Sequence, residues 1–253
     1  MDYRERIAAV AELIKTSTKT LALTGAGVST ESGIPDYRSP GTGLWEKMDP
    51  VKVSSLSALK RDPARFYDLN LDRWTAYNET EPNAAHLVLA KLEQLNLLLG
   101  VITQNIDSLH KKAGTVKLWE VHGHLRTCRC MDCGCGDYPF AGLVEQYRRG
   151  VNPPRCQACQ NGVLRPDVVL FEDPMNEHFF HVTQILSGCQ LLIVAGSSLT
   201  VYPVAGLPGA SRRLVIVNNT PTPWDDRADI VLRESAGRVF TDILSELRGD
   251  GSC

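Results

Sequence analysis

The sequence predicts an α/β fold in which a parallel sheet is interrupted by a cysteine-bearing insertion. Short apolar runs alternate with helix-compatible segments, the pattern that builds parallel sheets. Several of those runs end in glycine or small polar residues: Gly25-Ala26-Gly27, Gln104-Asn105, Gly196-Ser197-Ser198 and Asn218-Asn219. Open α/β sheets bind ligands at such strand ends. Two Cys-x-x-Cys pairs, Cys130/Cys133 and Cys156/Cys159, stand outside the alternation.

At 253 residues the chain is one large domain or a domain carrying an insertion, long enough to bury roughly three quarters of its unfolded surface. With 27 basic and 29 acidic residues, a net charge of −2 makes no electrostatic case for nucleic acid. Asp2, Arg4, Glu5 and Arg6 break any apolar leader. No run approaches the roughly 18 apolar residues of a membrane span, so a cytoplasmic protein with no membrane partner is expected. Eight cysteines then read as metal ligands or reduced thiols rather than a disulfide framework.

In chain order, Ile7, Val10, Ala11 and Ile14 share one helical face, giving an amphipathic helix over residues 3–16. Thr20–Thr24 reads as a strand. It runs into Gly25-Ala26-Gly27-Val28-Ser29, whose glycines let backbone N–H groups approach a phosphate at a helix start. Thr30 stands where the full dinucleotide fingerprint has a third glycine, and no second strand with an acidic end follows, which counts against a hydride-transferring dehydrogenase. Residues 50–77 are helix-compatible, with Pro63, Phe66, Tyr67, Leu69, Leu71 and Trp74 in an apolar stripe. A clear helix starts near Pro82-Asn83, and His86 is expected to be solvated or capping.

Next comes the apolar run 97–102 and the polar stretch Thr103-Gln104-Asn105-Ile106-Asp107. Two readings are open: a ligand pocket at a strand end, or a helix start capped by Asn105 or Asp107. Residues 116–122 alternate as a short strand ending at His122. Further strands are expected at 164–171, 190–195, 213–218 and 228–232, with helices at 179–186 and 238–247. The tail from Gly249 to Cys253 is expected to be disordered.

Cys130/Cys133 and Cys156/Cys159 form a zinc-ribbon pattern, two knuckles each offering two thiolates to a tetrahedral ion. The 22 intervening residues slightly exceed the usual spacing. Cys128 and Cys135 are surplus, and His122 and His124 are conceivable alternative ligands. Four thiolates leave no open position for water, so the metal is structural.

Taken together, the Gly25–Ser29 run, residues 32–38 (Ser-Gly-Ile-Pro-Asp-Tyr-Arg), residues 103–107, His122-Gly123, the four cysteines, Arg165-Pro166-Asp167-Val168-Val169 and Gly196-Ser197-Ser198-Leu199 resemble the sirtuin (Sir2) family. The resemblance implies a Rossmann-like NAD-binding domain of residues 1–37, 83–121 and 166–253. It implies two insertions forming a small domain, helical at 38–82 and a zinc ribbon at 122–165. It further implies protein lysine deacylation that consumes NAD and releases nicotinamide, O-acyl-ADP-ribose and free lysine.

On that resemblance His122 is general base and Asn105 and Asp107 orient the nicotinamide and its ribose, which Gln104 also bonds. Gly25, Ala26, Gly27, Asp36, Tyr37, Arg38 and Ile106 shape the nicotinamide and phosphate end. Gly196, Ser197, Ser198, Asn218 and Ala236 hold the phosphates and adenosine. His122, Val169 and Phe171 line the acyl-lysine tunnel, and the partner is an acyl-lysine protein or peptide. Tyr37 replaces the family's usual Phe, and Glu172 its usual Gly at the peptide-pairing edge. The Tyr-x-x-Arg pair of desuccinylase-type members is absent, since Asn70 follows Tyr67, which points to uncharged acyl groups. Mono-ADP-ribosyl transfer and a non-catalytic zinc-ribbon binding module are the alternatives.

Overall fold

A computed structural model describes residues 1–36 and 49–249. Tyr37, Arg38 and the Cys253 tail lie outside the described residues. Helix α1 (Tyr3–Thr16) starts in a reciprocal capping box between Asp2 and Glu5 and buries the four apolar residues expected of it. Strand β1 (Thr20–Thr24) is wholly buried. It leads to a 3₁₀ helix at Ala26–Ser32 rather than an α-helix. The next segment holds α2 (Pro50–Val53), α3 (Leu56–Arg61) and α4 (Pro63–Ala76), the last starting at proline behind the Asp62 cap.

Asn83 caps α5 (Ala84–Gln94), which precedes β2 (Gly100–Thr103), α6 (Leu109–Lys112) and β3 (Leu118–Glu120). Then come β4 (Gly123–Cys130), β5 (Tyr138–Pro139), α7 (Phe140–Arg148), β6 (Leu164–Val168) and α8 (Glu177–Ile185). The chain continues through β7 (Leu191–Ala195), β8 (Arg213–Val217), β9 (Ile230–Leu232) and α9 (Ala236–Arg248).

Six strands form a parallel sheet in the order β3-β2-β1-β7-β8-β9. The order runs outward from β1 on one side and from β7 on the other, so the reversal lies between them, where such sheets open a crevice. Thr24 is level with Thr103 on one neighbour and Ala195 on the other. Gly25, Gln104 and Gly196 therefore leave the sheet side by side.

Alternation along the strands divides two cores. Ala22, Val101, Ile193 and Val215 pack with α1, α5 and α9 on one face. Leu21, Leu23, Leu192, Val194 and Ile216 pack with α8 on the other. A third core lies off the sheet, where Phe66, Tyr67, Leu71 and Trp74 of α4 meet Leu125, Phe140, Leu143 and Leu164 around the small antiparallel sheet β5-β4-β6. The two insertions thus share one interior.

Two local expectations change. His86 is a capping residue but is buried, not solvated: its Nδ1 meets the Asn83 N–H at 3.3 Å, and its ring lies 4.7 Å from that of His110. His122 sits in the turn between β3 and β4, two residues beyond the strand end.

Candidate active site

A cleft of about 580 Å³ opens where the parallel strands end, between the sheet and the shared core of the insertions. Its floor is the contact of two glycine loops. Gly27 N–H donates to Gly196 O at 2.8 Å, and a Cβ on Gly25 would lie 2.8 Å from the same oxygen. At Gly196, with φ +61°, a Cβ would fall 2.1 Å from Val28 N. Only glycine permits this approach, which leaves a floor of backbone suited to a diphosphate.

The 104–108 loop is tied down from several sides. Asn105 donates from Nδ2 to Gly25 O and to Ser29 Oγ, both at 3.1 Å, while its backbone N–H donates to Thr103 Oγ1. Ser29 Oγ in turn donates to Asp107 Oδ2 at 2.7 Å, and Asp107 Oδ1 accepts the Leu109 N–H at 2.9 Å. The cap and the pocket are therefore one arrangement, with Asp107 capping α6 while bracing Asn105 through Ser29. Burial raises the Asp107 carboxyl above its ordinary pKa, opposed by those two hydrogen bonds.

His122 places Nδ1 3.0 Å from Gln104 O. Burial lowers its pKa, with that hydrogen bond opposing the shift. A carbonyl only accepts, so the neutral ring carries its hydrogen on Nδ1 and leaves Nε2 as an acceptor. Gln104 also donates from Nε2 to Ser197 Oγ at 2.9 Å, linking the loop to the β7 turn.

The residues expected at the site come together. Gly25, Ala26, Gly27, Asp36, Gln104, Asn105 and Ile106 line the cleft, as do His122, Val169, Phe171, Gly196, Ser197, Ser198, Asn218 and Ala236. Asp107 lies behind that wall and is 8% exposed. Ser29, buried at the centre of the Asn105–Asp107 link, and Arg73 and Trp74, which line the cleft from α4, were not singled out as site residues. The position of Ser29 in the glycine run was the only signal for it.

The metal-ligating set is equally definite. The sulfurs of Cys130, Cys133, Cys156 and Cys159 all lie within 4.8 Å of one another, with 3.7 Å for Cys130–Cys159 and 3.8 Å for Cys133–Cys156. Tetrahedral Zn–S bonds of about 2.3 Å put sulfurs roughly 3.8 Å apart, so the cluster fits zinc. Backbone N–H groups of Asp132 and Gly162 point at Cys130 and Cys159, as thiolate ligands require. Cys128 is instead buried in the shared core, and neither His122 nor His124 joins the cluster.

The Sir2 family model matches residues 25–203, which carry both glycine loops, the 104–108 loop, His122 and the cysteines. The chain belongs to the Sir2 family. It is 49% identical to NAD-dependent protein deacetylase 2 of Caldanaerobacter subterraneus subsp. tengcongensis over 98% of each chain. A Sir2 structure with p53 peptide and NAD+ superposes with a TM-score of 0.86 at 32% identity, covering 96% of this chain and 98% of that one. Another, with deacetylated p53 peptide and 3'-O-acetyl-ADP-ribose, gives 0.90 at 33% identity, covering 95% and 98%. Within this Sir2 fold, among the described residues no helix is long and apolar enough to cross a membrane.

Proposed function

We propose that this chain is an NAD-dependent protein lysine deacylase. The observation that carries the reading is a neutral His122 whose Nε2 is left as acceptor in a cleft floored by glycine backbone. NAD supplies ADP-ribose as acyl acceptor: acyl-lysine, NAD and water yield lysine, nicotinamide and O-acyl-ADP-ribose.

His122 Nε2 takes the proton of a ribose hydroxyl, a task for a base that is neutral near pH 7. Asn105 orients the nicotinamide end, and Asp107 fixes Asn105 through Ser29. Gln104, Ile106 and Asp36 line the same end. Gly25, Ala26, Gly27, Gly196, Ser197 and Ser198 receive the phosphates, and Asn218 and Ala236 the adenosine. Val169, through its backbone, and Phe171 hold the acyl-lysine beside His122. Zinc on the four cysteines is structural.

The domain division that goes with this reading is 1–37, 83–121 and 166–253 for NAD, with insertions 38–82 and 122–165. We place the chain in the cytoplasm, where its seven described cysteines, none of them in a disulfide, would serve as metal ligands or stay reduced. Incubation with NAD and an acetyl-lysine peptide, read by mass spectrometry, tests the function. His122→Ala should lower turnover by at least about a hundredfold with an unchanged melting curve; full activity in that variant defeats the assignment. Nicotinamide release that the peptide fails to stimulate would favour ADP-ribosyl transfer.

A further inference from the structure

The turn that carries His122 is spanned by an ion pair. Glu120 ends β3 and Arg126 lies in β4, on either side of Val121-His122-Gly123. The guanidinium meets the carboxylate through two N–H groups, Nη1 to Oε1 at 2.7 Å and Nη2 to Oε2 at 2.6 Å. The Glu120 backbone is fixed in turn, its N–H donating to His178 Nδ1 at 3.0 Å and its carbonyl accepting from Asn176 Nδ2 at 2.7 Å. The Glu120 side chain is 5% exposed and that of Arg126 29%, so the pair is sheltered from solvent.

The same guanidinium reaches the second loop of the site. Nη1 also donates to Ser108 Oγ at 2.8 Å. Ser108 closes the 104–108 loop in a left-handed conformation, φ +64°, next to Asp107. At its other end that loop is already tied to the His122 turn: Val121 N–H donates to Thr103 O at 3.0 Å, and His122 Nδ1 meets Gln104 O at 3.0 Å. Asn105 and Asp107 thus lie between two attachments to one turn, and Arg126 makes the second. A buried ion pair adds little net stability over apolar side chains, because desolvation offsets its attraction; what it contributes is geometry. A planar guanidinium holds a carboxylate by two parallel bonds and still aims another N–H at a third group, which an ammonium cannot do in one plane.

We propose that Arg126 is a positioning residue that fixes His122 and the Asn105–Asp107 loop relative to one another. The inference rests on the deacylase reading, in which His122 takes a proton from the ribose and Asn105 orients the nicotinamide end of the same cofactor. Both tasks act on one ribose, so an error in the spacing of the two loops costs rate rather than binding. Arg126 itself does not line the cleft and acts through the residues it holds.

The test measures kcat, KM and thermal melting for wild type, Arg126→Lys, Ser108→Gly and the double variant, with NAD and an acetyl-lysine peptide. Lysine keeps a charge beside Glu120, and glycine adopts the left-handed backbone of Ser108 freely, so both single variants should melt as wild type does. Each should lower kcat about 10- to 100-fold, the cost of a displacement of about 1 Å, with KM for NAD and for peptide unchanged. Both changes break one link, so the double variant should lose no more than the poorer single variant. Wild-type kcat in either single variant overturns the proposal, as does a kcat that falls only in step with the melting temperature, the mark of a merely structural pair. Losses that multiply in the double variant overturn it too, since Ser108 and Arg126 would then act independently. A wild type inactive on both an acetyl and a butyryl peptide would defeat the deacylase reading itself, whereas an active wild type with unaffected variants defeats only the role of Arg126.

Discussion

Ser29 shows how one hydroxyl organises a site. It accepts from the Asn105 amide and donates to the Asp107 carboxylate, joining residues 76 and 78 positions away. The sequence made Asn105 and Asp107 legible because they share a polar run at a strand end, but the hydroxyl between them depends on a tertiary approach that no local pattern encodes. His86 was half legible for the same reason: its place three residues after Asn83 marks a cap, while its contact with His110 requires α5 and α6 to pack. Burial there lowers the His86 pKa to about 4. A folded value below the ordinary 6.5 means that the neutral ring stabilises the fold fully above pH 6.5. That contribution is lost as the pH falls towards 4, and it amounts to about 3 kcal/mol. His110, lowered by burial and then by His86, acts in the same sense. Urea midpoints measured from pH 7 to 4.5 should fall steeply in wild type and less steeply in His86→Gln; parallel curves would remove His86 from the acid sensitivity.

At the scale of elements, the edge after β6 shows a non-glycine residue held where glycine is usual. Glu172 has φ +75°, and its carboxylate accepts from Ser57 N and Ser57 Oγ, both at 2.9 Å, at the first turn of α3. The adjoining backbone pairs as well, since Phe171 bridges Ser55. The side chain therefore caps a helix of the helical insertion from the segment that follows β6, which offsets its left-handed backbone. Glu172→Ala should lose the cap and keep the strain, lowering stability by about 1–2 kcal/mol. Glu172→Gly should lose less, because glycine adopts that conformation freely. Chemical denaturation separates the two, and an alanine variant as stable as the glycine variant would refute the strain argument. The sequence exposed the departure from the family pattern but not the cap, because Ser57 and Glu172 meet only when the helical insertion packs against the segment after β6.

For the whole molecule, the periodicity of the chain revealed the sheet, since strands buried on both faces read as apolar runs and their polar ends mark the cleft. Strand order, and with it the reversal between β1 and β7, is set by packing. What periodicity missed was that both insertions share one core, separate from the two that sandwich the sheet. Cys130 and Cys156 belong to that core beside Phe140, Leu143 and Leu164, and Tyr67 of α4 donates its hydroxyl to Leu164 O at 2.5 Å. Losing the metal would leave four thiolates crowded within 4.8 Å, and their repulsion and protonation would open the knuckles that hold β4 against β6. The loss should spread to α4 as well as α7, because the apolar faces of both pack into that core. The sheet keeps α1, α5, α8 and α9 and should stay folded. Chelation under reducing conditions, followed by hydrogen exchange, should release the protected amides of α4, α7 and β4 together while those of β1, β7 and β8 remain slow. Release confined to β4 and α7 would show the helical insertion to be independently stable, and release of all three cores at once would show the molecule to fold as a single unit.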